Sequence, residues 1–535
     1  MGGGDGALSL PRWVGWAWLV PGAFLLAFLA YPLVALGARI AGGLGQPALV
    51  PAGTWQVAAL AAAQAFASTA LALAVGLPMA NVVSRYRFRG RALAQALVTI
   101  PFVLPTVVVA LAFRSLVGPG IPQGLFLVVV AHAYVNLAVV ARIVGAQWAQ
   151  HDDRHEAVAR TLGATRWTAF RTVTLPALVP AIAASAAVVF VFSFSSLGIV
   201  LLLGGGSTRT LESQVLRQTS VLLDFPGAAA TAAIQLVVVS AILLSAAAMS
   251  RRSPRRVMRP VRLRHPASRS GTIGVRLTAA AITVLVLAPV LALAVDSLRA
   301  RGSWSLAWWL AIGSVDAGTT RIGSPLSALG TSIAYALITA AIAAMVGGLA
   351  AVAVLGRGPT RWIAVVAVVP LGVSAATVGL GTLLAYGRAP LDLRATGLLV
   401  PLAHALVAVP LVVAVVAPAL RGTDDRRLAV AACLGARPTR AFLTAYGPVL
   451  RVVMLASAAL AGAVSLGEFG AASFLARAAS PTVPLQIVRL LGRPGEESYG
   501  VAAALAMVLV AITMVLVLLV DRLGTSRQPA AAVTP

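Results

Sequence analysis

Apolar residues run through this chain in long blocks separated by short polar breaks. Twelve blocks come close to the roughly 20 residues needed to cross a bilayer as a helix. They lie at about 14–36, 56–83, 93–113, 121–147, 177–203, 228–249, 273–297, 327–355, 363–386, 395–420, 449–474 and 500–520. The blocks at 177–203 and 449–474 are the least uniform. The pattern predicts an all-α polytopic membrane protein of about 12 transmembrane helices. Two of the polar breaks, 148–176 and 421–448, are longer than a simple turn and are broken by Gly and Pro.

Composition supports this class. Apolar residues make up 59% of the 535 positions, charged residues only 10%, and mean hydropathy is +0.93. A soluble domain carries about 25% charged residues. All 41 basic residues are Arg. With the N-terminus inside, 29 of those 41 fall in cytoplasmic loops or at inner helix ends. Positive-inside bias therefore predicts cytoplasmic N- and C-termini in a multi-pass cell membrane protein. A net charge of +26 otherwise suggests nucleic acid, but in a chain this apolar we read it as a topology signal with no nucleic-acid partner. The densest run, 251–270, carries Pro and has no apolar period. It reads as a cytoplasmic linker beside anionic lipid. The first apolar block follows a polar, Gly-rich start without a small-residue cleavage pattern, and is expected to be retained. Cys433 stands alone, so no internal disulfide is expected.

The linker at 250–272 divides the chain into related halves, 1–249 and 273–535. At a constant shift of 272, Leu162-Gly163-Ala164 falls on Leu434-Gly435-Ala436 and Pro176 on Pro448. Ser193 and Gly198 fall on Ser465 and Gly470, and Gln214 and Arg217 on Gln486 and Arg489. At a shift of 269, Pro101 falls on Pro370. Six helices per half is an even number, so the halves share one orientation and form two parallel six-helix repeats.

The segment 156–181 carries the most specific signal. Residues 152–162 favour helix. Gly163 is placed to end that helix in a left-handed conformation. A second short helix at about 165–173 should follow, with Leu175-Pro176 opening the next span. Small Ala157 and Ala159 admit another backbone closely.

Glu156, small residues after it, Gly163 and then Leu175-Pro176 resemble the signature loop of ABC importer permeases. Nearly the whole chain is similar to the permeases of that group with two fused transmembrane halves, the thiamine and iron(III) binding-protein-dependent importers. The resemblance implies that the loops 148–176 and 421–448 dock on an ATPase, through Glu156, Ala157, Gly163, Ala164 and Pro176 in one half. Ala429, Gly435, Ala436 and Pro448 are their counterparts in the other. The second copy is worn: Leu428 replaces Glu and Tyr446-Gly447-Pro448 replaces the usual Leu-Pro ending. That puts a salt-bridging role there in doubt, but not the docking geometry. The implied partners are two copies of an ABC ATPase subunit, an extracytoplasmic solute-binding protein and the bilayer. ATP and Mg would bind the ATPase, and this chain binds no cofactor. A phosphate-binding loop needs a Lys, and this chain has none. The chain is therefore expected to be a permease and no enzyme.

The stretches 192–218 and 465–476 favour thiamine as solute, with iron(III) as the alternative and a secondary carrier as the rival class. Acidic residues are nearly confined to loops and helix ends, with Glu468 the main exception. Glu468, with Ser465, Ser193 and Ser196, is the candidate pathway set. Equally, Glu468 could cap a broken helix or pair with an Arg such as Arg477. Gly467 and Gly470 permit a break there. His132 and His404 lie in apolar helices, where hydrogen-bonded packing is expected rather than a metal site.

Overall fold

A computed structural model describes residues 10–43, 50–251, 263–264, 269–314, 324–356, 362–387, 392–424 and 426–525. Most of linker 250–272 and the extreme termini lie outside the described residues. In the first half the helices are α1 (Arg12–Gly42), α2 (Thr54–Arg85), α3 (Arg91–Val103), α4 (Thr106–Val117), α5 (Leu125–Ala149) and α6 (Asp153–Thr161). α7 (Arg166–Phe194), α8 (Gly198–Leu203), α9 (Leu211–Ser220) and α10 (Phe225–Arg251) complete it. The second half contains α11 (Arg269–Ser297), α12 (Pro325–Ala353), α13 (Ala375–Tyr386), α14 (Leu399–Arg421) and α15 (Arg426–Cys433). It ends with α16 (Pro438–Gly467), α17 (Ala472–Leu475), α18 (Val483–Leu491) and α19 (Glu496–Thr525). The fold is all-α and polytopic.

Ten of the described helices are long and apolar enough to span a membrane, eleven if the bent pair α3–α4 counts as one crossing. Two of the twelve expected blocks are not continuous helices, and they fall at the same place in each half. The block at 93–113 is not one helix: α3 and α4 meet at 107°. Leu104 turns extended (ψ 135) immediately before Pro105, because a residue preceding proline is driven out of the helical region. The block at 363–386 is interrupted likewise, by a 3-10 turn at Val369–Gly372, and restarts at α13 with Ser374 capping the amide of Thr377. Thr106 and Ala375, the first residues after each break, stand 269 apart, so the bend belongs to the repeat. The two ends of the bent pair lie near opposite ends of α5. Arg85, at the pair's start, lies over the Trp148 ring at the end of α5. At the other end Gly124 donates to Leu203.

Helices pack closely at a glycine in each half. A Cβ on Gly76 of α2 would lie 2.8 Å from Val140 of α5. One on Gly347 of α12 would lie 2.7 Å from Val412 of α14. Small residues at such crossings let backbones approach in lipid, where packing rather than water drives association.

The sequence halves describe the repeat but not the packing units. One unit holds α1 together with residues 310–489 and the end of α19 from 508 onward. The other holds the remaining first-half helices, α11 and residues 490–507. Each half's leading helix therefore packs in the other half's unit. Ile282 and Val286 of α11 bury against Met79, Val83, Leu97, Val98 and Leu137. In the other unit, the Tyr31 ring of α1 meets Tyr386 of α13 edge-on at 5.4 Å.

The end of the linker is tied down. Arg264 donates its backbone amide to Arg85 and accepts from Arg87, both at 2.8 Å. Burial and the neighbouring Arg85 charge lower the Arg264 guanidinium to about 10.

Candidate functional site

Both candidate coupling loops form the same turn. Gly163 and Gly435 are left-handed, at φ +92° and +79°. The amide of Ala164 bonds back to Ala159 at 3.0 Å, and that of Ala436 to Ala431 at 3.0 Å. These are the six-to-one bonds of a Schellman ending, which needs a residue without Cβ penalty at the left-handed position. The turns hold up equivalent apolar knobs. Leu162 and Leu434 are 83% and 82% exposed, and Val158 and Val430 are 57% and 58% exposed. Ala157 and Gly163 are exposed with them, as is Gly435, while Ala164, Ala429 and Ala436 are half-buried beneath. Asp152 caps the amide of Arg154 to start α6.

The loops differ behind the knobs. Half-buried Glu156 accepts a 3.2 Å hydrogen bond from the buried Thr174 hydroxyl. At the matching positions stand Leu428 and Tyr446, both buried. The polar pair of the first half is thus absent from the second, and the turn keeps its shape.

One expectation about the loops is overturned. The short helix expected at 165–173 does not stop before Pro176. It runs on as α7, through a wide turn at Phe170–Thr174 immediately ahead of the proline. Such a turn shifts the carbonyl that the proline ring would otherwise strike. In the second half α16 runs past Pro448 as an unbroken α-helix, without the wide turn. Pro176 and Pro448 are exposed on their helices. Each candidate coupling turn therefore leads directly into a long rod, of 29 residues in α7 and 30 in α16.

Both rods end at a break, and the four other candidate residues gather there. All are buried: Ser193 and Ser196 in one half, Ser465 and Glu468 in the other. α16 ends at Gly467 and Glu468 turns extended (ψ 123). The Glu468 carboxylate accepts from the amides of Ala471 and Ala472 at 3.1 and 3.2 Å. Its partner is His404, with Nε2 at 3.1 Å, and not Arg477. His404 Nδ1 lies 2.9 Å from Ser465 Oγ, which donates to Thr339 at 3.2 Å. Three helices, α12, α14 and α16, are thus joined by one buried polar chain.

The first half builds a neutral version. His132, which precedes His404 by 272 residues, places Nδ1 3.0 Å from Gln64 Oε1. Gln64 donates to the Ser193 carbonyl at 2.6 Å, and Asn136 reaches Ser193 Oγ at 3.5 Å. Ser196 stands where the second half has Glu468. Composition did not single out Gln64, Asn136 or Thr339. The equal spacing of the two histidines and the two serines was the available signal.

At the end of the first-half bundle away from its coupling turn, a cavity of about 470 Å³ is lined by Arg114, Gln123, Asp296 and Tyr499 among others. The Tyr499 hydroxyl donates to Asp296 at 3.0 Å and lies 3.0 Å from Ser115 Oγ.

Known proteins resemble this chain in sequence. Residues 72–258 match the family described as "binding-protein-dependent transport system inner membrane component". The sulfate transport system permease protein of Salmonella typhimurium is 34% identical over 203 residues, covering 34% of this chain and 72% of the relative. The molybdenum transport system permease protein of Mycobacterium tuberculosis is 33% identical over 257 residues, covering 44% and 93%. The thiamine transport system permease protein of Brucella abortus is 26% identical over 543 residues, covering 96% of each chain. With its paired turns, the rods behind them and these relatives, the chain belongs to the family of binding-protein-dependent transport system inner membrane components.

Proposed function

We propose that this chain supplies both transmembrane halves of an ATP-driven importer, docking one ATPase subunit at each coupling turn and receiving solute from a binding protein at the opposite face. The single observation that carries this is the repetition of one exposed turn in both halves, with the same bonds and the same apolar knobs. A loop that merely connects two spans has no reason to hold Leu162 and Leu434 out to water at matching positions. ATP-driven closure of the ATPase pair moves the turns, the rods carry that motion inward, and the two repeats change which side they open to. We place the turns, the linker and both termini in the cytoplasm on the arginine distribution. Cysteines at Ser253 and Ser268 in a Cys433→Ala background should resist a membrane-impermeant thiol reagent in intact cells. Labelling from outside overturns the orientation.

Thiamine is our first solute. The supporting observation is that the thiamine permease alone among the relatives described above aligns through both halves. Oxyanion import is the second reading, favoured by the higher identity of the sulfate permease across part of the chain. Calorimetric titration of the partner binding protein with thiamine, sulfate, molybdate and ferric iron decides between them. Thiamine binding supports the first reading, and binding of an oxyanion or of ferric iron without thiamine overturns it.

A further inference from the structure

The two rods end differently, and the difference assigns them different work. In the second half the break at Glu468 is fixed by a carboxylate. It accepts from two backbone amides and contacts His404, which is itself held by Ser465. Charge-assisted bonds of this kind are roughly twice as strong as neutral ones. Opening this break strands a buried carboxylate, which costs more than losing a neutral bond.

The first half is built differently, with Ser196 where the second half has Glu468. α8 begins at Gly198 without a side-chain cap. The break at 195–197 is held at one remove: Gln235 donates to Ser195 Oγ at 3.0 Å and to the buried Glu212 carboxylate at 3.2 Å, and Thr210 donates to the Ser196 carbonyl at 3.0 Å. Two buried polar atoms of the first-half bundle, Ser196 Oγ and Asn136 Oδ1, have no hydrogen-bond partner among the described residues. They are donors and acceptors placed where a rearranged backbone can use them. Packing does not account for the contrast. A Cβ on Gly198 would meet Thr106 at 2.6 Å, and one on Gly470 would meet the amide of Ala376 at 3.1 Å, so both breaks lean on the same repeated helix start.

We infer that Glu468 and His404 are positioning residues that hold the second-half break in one shape, leaving the first-half break at 195–197 as the joint that changes with nucleotide. The inference rests on the importer reading above. At 1.5 Å per residue, each rod reaches on the order of 40 Å from coupling turn to break. A displacement of the first turn is therefore delivered to a backbone with alternative bonds available, and a displacement of the second to one that is pinned. The second half moves as a body around its pin, and the first half bends.

Hydrogen–deuterium exchange on the full permease–ATPase complex in nanodiscs tests this, comparing the nucleotide-free and the ATP–vanadate-trapped states. Peptides over 194–200 should change exchange rate about tenfold or more, and those over 466–472 less than about twofold. Glu468→Gln keeps the shape but removes the charge. It should raise resting exchange over 466–472 about tenfold and make that stretch respond to nucleotide. Ser196→Glu, placing an acid opposite His132, should damp the first-half response and slow uptake. If that variant fails to assemble, Glu468→Gln carries the test alone. A complex whose ATPase responds to loaded binding protein while its two breaks respond equally, or not at all, overturns this inference only. So does a Glu468→Gln variant indistinguishable from wild type. A complex with no such ATPase response overturns the importer reading, and this inference with it.

Discussion

Replacing Gly163 by Ala tests the coupling turn with little else disturbed. A Cβ at Gly163 meets no atom within 4 Å, and the same holds at Gly435. The substitution therefore acts on the backbone alone. At φ +92° an L-residue other than Gly pays about 1–2 kcal/mol for the left-handed region. Relaxing that strain breaks the Ala164–Ala159 bond, itself worth about 0.5–1.5 kcal/mol net. The turn thus loses about 1–2 kcal/mol either way, a five- to thirtyfold change in the population holding the docking shape. Uptake into proteoliposomes per ATP hydrolysed should fall at least fivefold at matched expression. Melting of the detergent-solubilised permease should shift little, because the site is exposed. Gly163→Asn should recover most of the loss, since Asn tolerates the left-handed region. Gly435→Ala should match Gly163→Ala within about twofold, because its φ and its bonds are equivalent although its loop has lost the Glu. Full uptake by Gly163→Ala would falsify the requirement for a left-handed turn. A silent Gly435→Ala beside a damaged Gly163→Ala would make the Glu156–Thr174 tie, and not the turn, the transmitting element.

Leu162→Asp and Leu434→Asp should leave melting nearly unchanged, both sites being over 80% exposed, yet each should reduce ATPase co-purification severalfold; undiminished recovery removes the knobs from the docking face. Gly76→Ala and Gly347→Ala should each destabilise by about 1–3 kcal/mol, since the new methyl would sit 2.7–2.8 Å from a valine; a melting temperature equal to wild type refutes the close crossing. Tyr499→Phe deletes the bonds to Asp296 and Ser115 and should cost about 1–2 kcal/mol, read as a lower melting point that Asp296→Asn lowers no further in the double variant.

Much of this architecture was legible in the apolar pattern because lipid imposes one rule on every span: backbone groups must bond within the segment. That rule fails to announce where a span is interrupted. The block at 93–113 reads as one helix by composition, and only the Leu104-Pro105 pair marks the bend. Pro176 misled in the opposite direction, since a proline can be carried inside a helix when a wide turn precedes it. The left-handed turn was legible from spacing because Gly163 answers to local geometry. Glu468 was legible as an anomaly, but its partner was not. His404 lies 64 positions away, and only packing brings a residue of α14 against the end of α16. The leading helices could not be placed from sequence at all. Their apolar character fits any neighbour, and pattern alone does not say which half buries them.

That exchange of leading helices has a consequence for synthesis. When translation has delivered the first half as far as Arg251, α1 has not met α13, and the faces of α2 and α3 that Ile282 and Val286 will cover still look into lipid. Neither half can be inspected as finished until the other has emerged. A chain stopped in the linker therefore leaves two mismatched surfaces in the bilayer at once, which is what a membrane quality-control protease would detect. For the same reason, a gene cut at the linker yields two pieces that must be made together, because each withholds a wall from the other's bundle.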